Sequence, residues 1–153
     1  MSSTDDENWG DRFDLQRFLS AQEGVFEVAL AELKGGRKSS HWMWFIFPQI
    51  NGLGSSLTAI KYAIKSQDEA KAYIMHPTLG PRLLECCRAL LLHHQMPASS
   101  ILGYPDCLKL RSSMTLFLIV SGTNSEFGRV LERYFDARPD ERTMEIWQTL
   151  STV

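Results

Sequence analysis

Hydrophobic residues recur at the spacing of an α-helix in every stretch of this sequence that has a clear period. One such pattern runs from Leu15 to Leu33 and ends at Gly35-Gly36, and another places an apolar stripe along Arg82–His94. No stretch alternates between apolar and polar residues as a half-buried strand does. The pattern therefore predicts an all-α fold, a single compact domain of about six to seven helices.

The length of the chain sets the number of domains. Its 153 residues and 17.4 kDa are the size of one ordinary domain, and its 44% of apolar residues is enough for a buried core. The first residues, MSSTDDENWGDR, are polar and acidic. We therefore expect a flexible tail over residues 1–12 and one folded domain over residues 13–153.

Charge, hydropathy and cysteine content exclude several classes of protein. The formal net charge of −2 and the pI near 6.1 lack the basic excess of a nucleic-acid binder, so nucleic acid is an unlikely partner. The longest apolar runs, Trp42–Phe47 and Leu116–Val120, are far shorter than the roughly 20 residues that span a bilayer. Three cysteines without zinc spacing predict neither a metal site nor a cofactor. With no signal peptide at the N-terminus, the expected location is the cytoplasm.

A polar and aromatic cluster follows the first predicted helix, in the segment GRKSSHWMWFIFPQ. Lysine, hydroxyl groups and the N–H groups of a capped helix start suit a phosphate, an indole face can stack on a base, and histidine can move a proton near neutral pH. For the aromatic side chains taken alone, packing in the core is the favoured alternative. The candidate ligand-binding or catalytic residues here are Lys38, Ser40, His41, Trp42, Trp44 and Gln49.

A second cluster lies in the segment DCLKLRSSMT. On a helix, Asp106 and Lys109 are neighbours, Ser112 follows on a nearby face and Ser113 lies one turn after Lys109. These four side chains are candidates for one polar cavity. The alternative is an exposed ion pair, with the serine hydroxyls bonded back to helix carbonyls.

Two further residues and one loop are weaker candidates. Arg82 is predicted near a helix start, where it could hold a phosphate, and the hydroxyl of Tyr62 could reach a pocket; each could equally have only a structural role. The segment Gly52–Ser56 lacks the endings of known phosphate loops, and we interpret it as a turn that needs positive φ.

Three segments in this order resemble one known family. They are GRKSSHWMWFIFPQINGLGSS, AYIMHPTLGPRLLECCRALL and ILGYPDCLKLRSSMTLF, and they look like the domain of unknown function 1810, whose members are sometimes mislabelled calpastatin. The resemblance extends from about Phe13 to Leu150 and implies a small all-α domain. It implies no particular activity.

A shorter stretch, Asp106-x-x-Lys109 followed by Met114, is similar to one in the NADAR family, which is linked to NAD and ADP-ribose chemistry. That similarity implies that acidic and lysine side chains carry the hydrolysis of an N-glycosidic bond. This sequence lacks the upstream Glu-His motif of that family.

Two hypotheses for function follow from these clusters. In the first, the protein holds a small phosphate-containing, nucleotide-like or ADP-ribose-like ligand and hydrolyses an N-glycosidic bond, with His41, Asp106, Lys109 and Ser112 as the catalytic residues. In the second, it is a non-catalytic interaction or regulatory module that presents an aromatic patch of Trp42, Trp44 and Phe47 to a protein partner. The oligomeric state is not determined by the sequence.

Overall fold

A computed structural model describes residues 11–122 and 124–150, and this part of the chain forms ten helices and no strand. One isolated parallel bridge joins Ile50 and Ile64. The all-α prediction is confirmed. No helix within the described ranges is long and apolar enough to cross a membrane. The helices are α1 (Gln16–Gln22), α2 (Phe26–Lys34), α3 (Met43–Ile46), α4 (Leu57–Lys61), α5 (Gln67–Met75), α6 (Leu79–Leu91), α7 (Ala98–Leu102), α8 (Asp106–Ser121), α9 (Glu126–Phe135) and α10 (Glu141–Thr149).

The predicted number of six to seven helices is too low. The pattern from Leu15 to Leu33 is not one helix, because Gly24 takes a φ of 71° and separates α1 from α2. The segment Pro97-Ala98-Ser99-Ser100, whose composition is typical of a linker and cap, lies at the start of the short helix α7. Helices of four or five residues, such as α3 and α7, are shorter than the window over which a helical period can be recognised.

The first helix is capped from within the predicted tail. The carboxylate of Asp11 accepts hydrogen bonds from the backbone N–H groups of Leu15 and Gln16. Asp14, which its position just before the apolar pattern predicts to be the N-cap, instead has a φ of 54°. The folded part of the chain therefore includes Asp11. The remaining predicted tail, residues 1–10, lies outside the described residues.

Helix α8 forms the centre of the domain. Every residue from Ser112 to Phe117 is buried, so this part of the helix has no solvent-facing side. Helices α5, α7, α9 and α10 pack around it. Two of the three hydroxyl groups in this stretch bond to the preceding turn: Ser112 donates to the Leu108 carbonyl at 3.2 Å and Thr115 to the Arg111 carbonyl at 2.8 Å. Thr115 also accepts the N–H of Asp140 at 2.8 Å, which attaches the start of α10.

A buried ion pair joins the N-terminal helices to α5. The Arg17 and Glu69 side chains are 9% and 4% exposed, and their charged groups are 2.6 Å apart. A guanidinium group has five N–H donors, and all five of Arg17 are used. The acceptors are the carbonyl oxygens of Phe13, Asp14, Lys61 and Ala63 and the Glu69 carboxylate.

We expect Arg17→Met to lower the free energy of unfolding by about 3 kcal/mol, because it leaves the Glu69 carboxylate buried without its partner. Methionine keeps a long apolar side chain, so the loss reports the guanidinium group. Urea denaturation followed by circular dichroism measures the change.

Arg88→Met is the matched control. Arg88 pairs with Glu126 at 2.7 Å but is 61% exposed, so we expect a loss below about 1 kcal/mol. If both variants lost the same free energy of unfolding, the buried pair would stabilise the fold no more than the exposed one.

Candidate functional site

A cleft of about 310 Å³ opens where three parts of the chain meet. The segment from Lys38 to Phe45 forms one side, the first turn of α8 forms the other, and Thr58 of α4 lies at the edge. We call this cavity the cleft. The residues that line it are Lys38, His41, Trp42, Met43, Trp44, Phe45, Thr58, Asp106 and Lys109. The two clusters identified in the sequence are therefore neighbours in space, although more than fifty residues separate them in the chain.

A carboxylate between two ammonium groups forms the polar part of the cleft. The Asp106 oxygens lie 3.0 Å from the Lys38 Nζ and 3.0 Å from the Lys109 Nζ. The Lys38 side chain is only 9% exposed, Asp106 is 18% exposed and Lys109 is 22% exposed. We call these three side chains the triad.

The two lysines keep Asp106 ionised. Burial alone would raise the pKa of this carboxyl group, but the hydrogen bonds and positive charges of Lys109 and Lys38 outweigh it and lower the pKa below its usual value. Asp106 is therefore a carboxylate at neutral pH. It is a weak proton acceptor, suited to stabilising a positive charge or holding the lysines in place.

The two tryptophans of the cleft have different environments. Trp42 is 1% exposed, so its ring belongs to the core, with the Lys38 ammonium 5.1 Å from the ring centroid. Trp44 is partly exposed, and the Lys109 ammonium lies 4.1 Å from its ring centroid. Trp44 is therefore the indole that a ligand can reach. Phe47, like Trp42, is buried, so the exposed aromatic patch of the interaction hypothesis does not form.

Glu32, in the last turn of α2, holds the segment that carries Lys38 and His41. Its carboxylate accepts four hydrogen bonds: from the N–H groups of Ser39 at 2.8 Å and Ser40 at 3.1 Å, from the Ser40 hydroxyl and from the Trp42 indole N–H at 2.9 Å. The Lys38 N–H donates to the Ile101 carbonyl of α7 at 2.7 Å, which fixes the other end of the segment. The sequence does not single out Glu32, because nothing in its helix pattern distinguishes it from a solvated glutamate.

These hydrogen bonds determine the ionisation of Glu32. Burial alone would raise the pKa of its carboxyl group, but the hydrogen bonds from Ser40, Ser39 and Trp42 lower it from 4.5 to about 2. The Ser40 hydroxyl, a predicted ligand-binding group, is used within the protein. His41, the next residue, is exposed at the rim of the cleft.

Two of the predicted ligand-binding residues, Gln49 and Tyr62, lie on the other side of Trp44 from the cleft. Gln49 and Tyr62 line a separate cavity of about 10 Å³, and Trp44 is the wall that it shares with the cleft. The Gln49 side chain is 7% exposed, and its Nε2 has no hydrogen-bond partner among the described residues. Gly54 lies against the same ring, and a Cβ atom there would be 3.3 Å from Trp44 and 2.8 Å from Ala59.

Three predicted residues lie away from the cleft. Ser112 is buried and bonded to its own helix, and Ser113 is buried with no partner for its hydroxyl in the part of the chain described. Arg82 donates to Gln22 at 3.2 Å and lies 4.9 Å from the ring centroid of Phe26, so its contacts are with α1 and α2. The alternative in which a serine hydroxyl bonds back to a helix carbonyl describes Ser112 but not Ser113. Within the described ranges no cluster of residues is suited to a metal ion.

Comparisons with known proteins identify related sequences without an assigned activity. Residues 12–147 match a family described as "Protein of unknown function (DUF1810)", which confirms the resemblance found in the sequence. The crystal structure of the conserved hypothetical protein Rv1873 from Mycobacterium tuberculosis is similar, with 46% sequence identity and a TM-score of 0.88. The match covers 90% of this chain and 99% of that one. No curated protein matches. The similarity to the NADAR family is not shown by these comparisons.

We expect Glu32→Gln to loosen the segment from Ser39 to Trp42 and to lower the free energy of unfolding at pH 7 by about 2 kcal/mol, because a neutral amide is a weaker acceptor of these hydrogen bonds. The lowered pKa of Glu32 stabilises the folded protein fully above about pH 4.5, and this stability is lost as the pH falls towards about 2. The variant should therefore lose less stability than the wild type over that pH range. Denaturation at a series of pH values measures both effects.

Glu27→Gln is the control, since Glu27 is exposed on the same helix. We expect its pH profile to follow that of the wild type. A Glu32→Gln profile parallel to the wild type would show that the carboxylate does not hold this segment.

Proposed function

The chain belongs to the DUF1810 family, whose function is unknown, and we propose that its cleft binds a small nucleotide-like ligand through an anionic phosphate group. The observation that carries this proposal is the Lys38 ammonium. The Lys38 side chain is nine-tenths buried, and its ion-pair partner in the described residues is a carboxylate shared with a second lysine.

The triad has an excess of positive charge. Two lysines and one aspartate leave one positive charge uncompensated among the described ionised groups that line the cleft. Removing an ammonium group from water costs several kcal/mol unless an anion compensates it, so this arrangement is costly for a purely structural site. Each ammonium has three N–H donors, and those not directed at Asp106 are suited to phosphate oxygens.

The apolar wall of the cleft suits the ring system of such a ligand. Trp44 and Phe45 are both partly exposed and lie beside the triad. The Lys109 ammonium covers one face of Trp44 at 4.1 Å, so a base stacks there only when the flexible lysine chain moves to the phosphate. Binding then exchanges a cation–π contact for a charge-assisted hydrogen bond, and the base takes the place of the ammonium.

The same groups support a more specific proposal, the hydrolysis of an N-glycosidic bond. In that reaction water attacks the anomeric carbon, the C–N bond breaks, and the leaving base takes its electron pair and a proton. Asp106, kept ionised by two lysines, would stabilise the positive charge that develops on the sugar. His41 at the rim has an imidazole ring, which is suited to transferring the proton to the leaving base. Ser112 has no part in this proposal, because its hydroxyl is bonded within α8.

We expect Lys109→Gln to weaken the binding of adenosine 5′-monophosphate roughly tenfold to hundredfold, since a charge-assisted hydrogen bond of about 1.5–3 kcal/mol is lost. Titration calorimetry measures the affinity. In a thermal-shift assay the wild type should melt roughly 5–10 °C higher at saturating ligand, and the variant should show little shift.

Lys71→Gln is the matched control, because Lys71 is exposed on α5 and does not line the cleft. Its affinity should equal that of the wild type. Equal affinities in Lys109→Gln and Lys71→Gln, or no binding of any phosphate-containing compound to the wild type, would overturn the proposal.

Hydrolysis is tested by incubating the protein with nucleoside monophosphates and ADP-ribose and separating the products by chromatography. We expect release of a free base or of ribose phosphate, abolished in Asp106→Asn and strongly slowed in His41→Ala. Circular dichroism checks that both variants are folded. If ligands bind but remain intact, the protein is a binding module and the hydrolase proposal fails.

A further inference from the structure

We infer that Asp106 sets the charge selectivity of the cleft, so that the cleft favours a singly charged phosphodiester group over a doubly charged terminal phosphate. This inference rests on the proposed function and names the chemical class of the ligand. It assigns to Asp106 a role as the internal counter-anion of the two lysines, which holds whether or not a bond is cleaved.

The charges that line the cleft carry this argument. With Asp106 ionised, Lys38 and Lys109 have one net positive charge to offer, and a monoanion neutralises it. A phosphomonoester has a second pKa near 6 and therefore carries nearly two charges at pH 7.5. Its second charge would enter a partly buried site in which both lysine charges are already balanced.

The position of Asp106 adds direct repulsion. Its carboxylate lies 3.0 Å from both ammonium groups, so an anion that bonds to both lysines lies close to Asp106 as well. Repulsion between like charges at this distance is large in a partly buried site, and it doubles for a dianion. The cost of removing an ion from water also rises steeply with its charge. Both effects disfavour a terminal phosphate.

Among the described residues, the cleft contains no other acidic or basic group except His41 at its rim. Glu32 does not line the cleft, and its carboxylate is used by four donors of the Ser39–Trp42 segment. The charge of the triad therefore determines the charge that the cleft presents to a ligand.

The test compares adenosine 5′-monophosphate with its 5′-methyl ester, two ligands that share base and ribose and differ by one charge at pH 7.5. Titration calorimetry on the wild type should show that the ester binds about tenfold more tightly. Asp106→Asn raises the net charge of the triad by one, so we expect the preference to reverse in favour of the monophosphate. Glu85→Gln removes the same charge from an exposed position on α6 and should leave the preference of the wild type unchanged.

Thr58→Lys keeps the inference testable if Asp106→Asn does not fold. Thr58 is exposed at the edge of the cleft, and a lysine there adds one positive charge without touching the triad. It should also shift the preference towards the monophosphate. A wild type that prefers the monophosphate, or an Asp106→Asn protein that is folded and keeps the wild-type preference, would overturn the inference while leaving phosphate binding intact. Failure of the wild type to bind either compound would overturn the proposed function and this inference together.

Discussion

Burial of α8 on every face governs how the other helices are arranged. A helix that is enclosed from Ser112 to Phe117 needs neighbours on all sides, and α5, α7, α9 and α10 provide them. Within this enclosed stretch the hydroxyls of Ser112 and Thr115 bond to the carbonyls one turn earlier. The Thr115 hydroxyl also accepts a hydrogen bond from the backbone N–H of Asp140. The same buried hydroxyl therefore donates within α8 and fixes the start of α10.

The same helix positions half of the candidate site. Its first turn lies outside the enclosed region, and there Asp106 and Lys109 face the cleft. The other half is an irregular segment fixed at one end by Glu32 and at the other by the bond from Lys38 to α7. Because that segment is held by hydrogen bonds rather than by regular secondary structure, the position of Lys38 relative to Asp106 depends on a carboxylate that does not itself line the cleft.

Charge balance connects the structure to the proposed function. Arg17 and Glu69 form a buried pair of one positive and one negative charge, in which every guanidinium donor has an acceptor. Such a pair needs no further counter-ion. The triad differs, since two ammonium groups share one carboxylate. A buried charge in the first arrangement serves the fold, whereas the unbalanced charge in the second is suited to an anion from outside.

The order of amino acids was sufficient to predict the longer helices and several of their caps. A helical period depends on residues within a few turns, and a cap depends on residues within one. Ser56, Ser66 and Asp140 are polar residues of the type that begins helices, and in the structure the side chain of each caps a helix. Both halves of the cleft were also identified in this way. Lys38 and His41 stand beside two tryptophans, although charged and imidazole groups are unusual in a core, and Asp106 and Lys109 are neighbours on a helix.

Other features exist only in the packed molecule. The two halves of the cleft meet there, Trp42 is buried while Trp44 remains accessible, and Ser40 bonds to Glu32. Two more features depend on tertiary packing. The first predicted helix is divided at Gly24, and Arg82 lies away from the cleft. The reason is physical: a helical period and a cap are local, whereas burial, ion pairing and hydrogen bonding between distant segments arise only when the chain is packed.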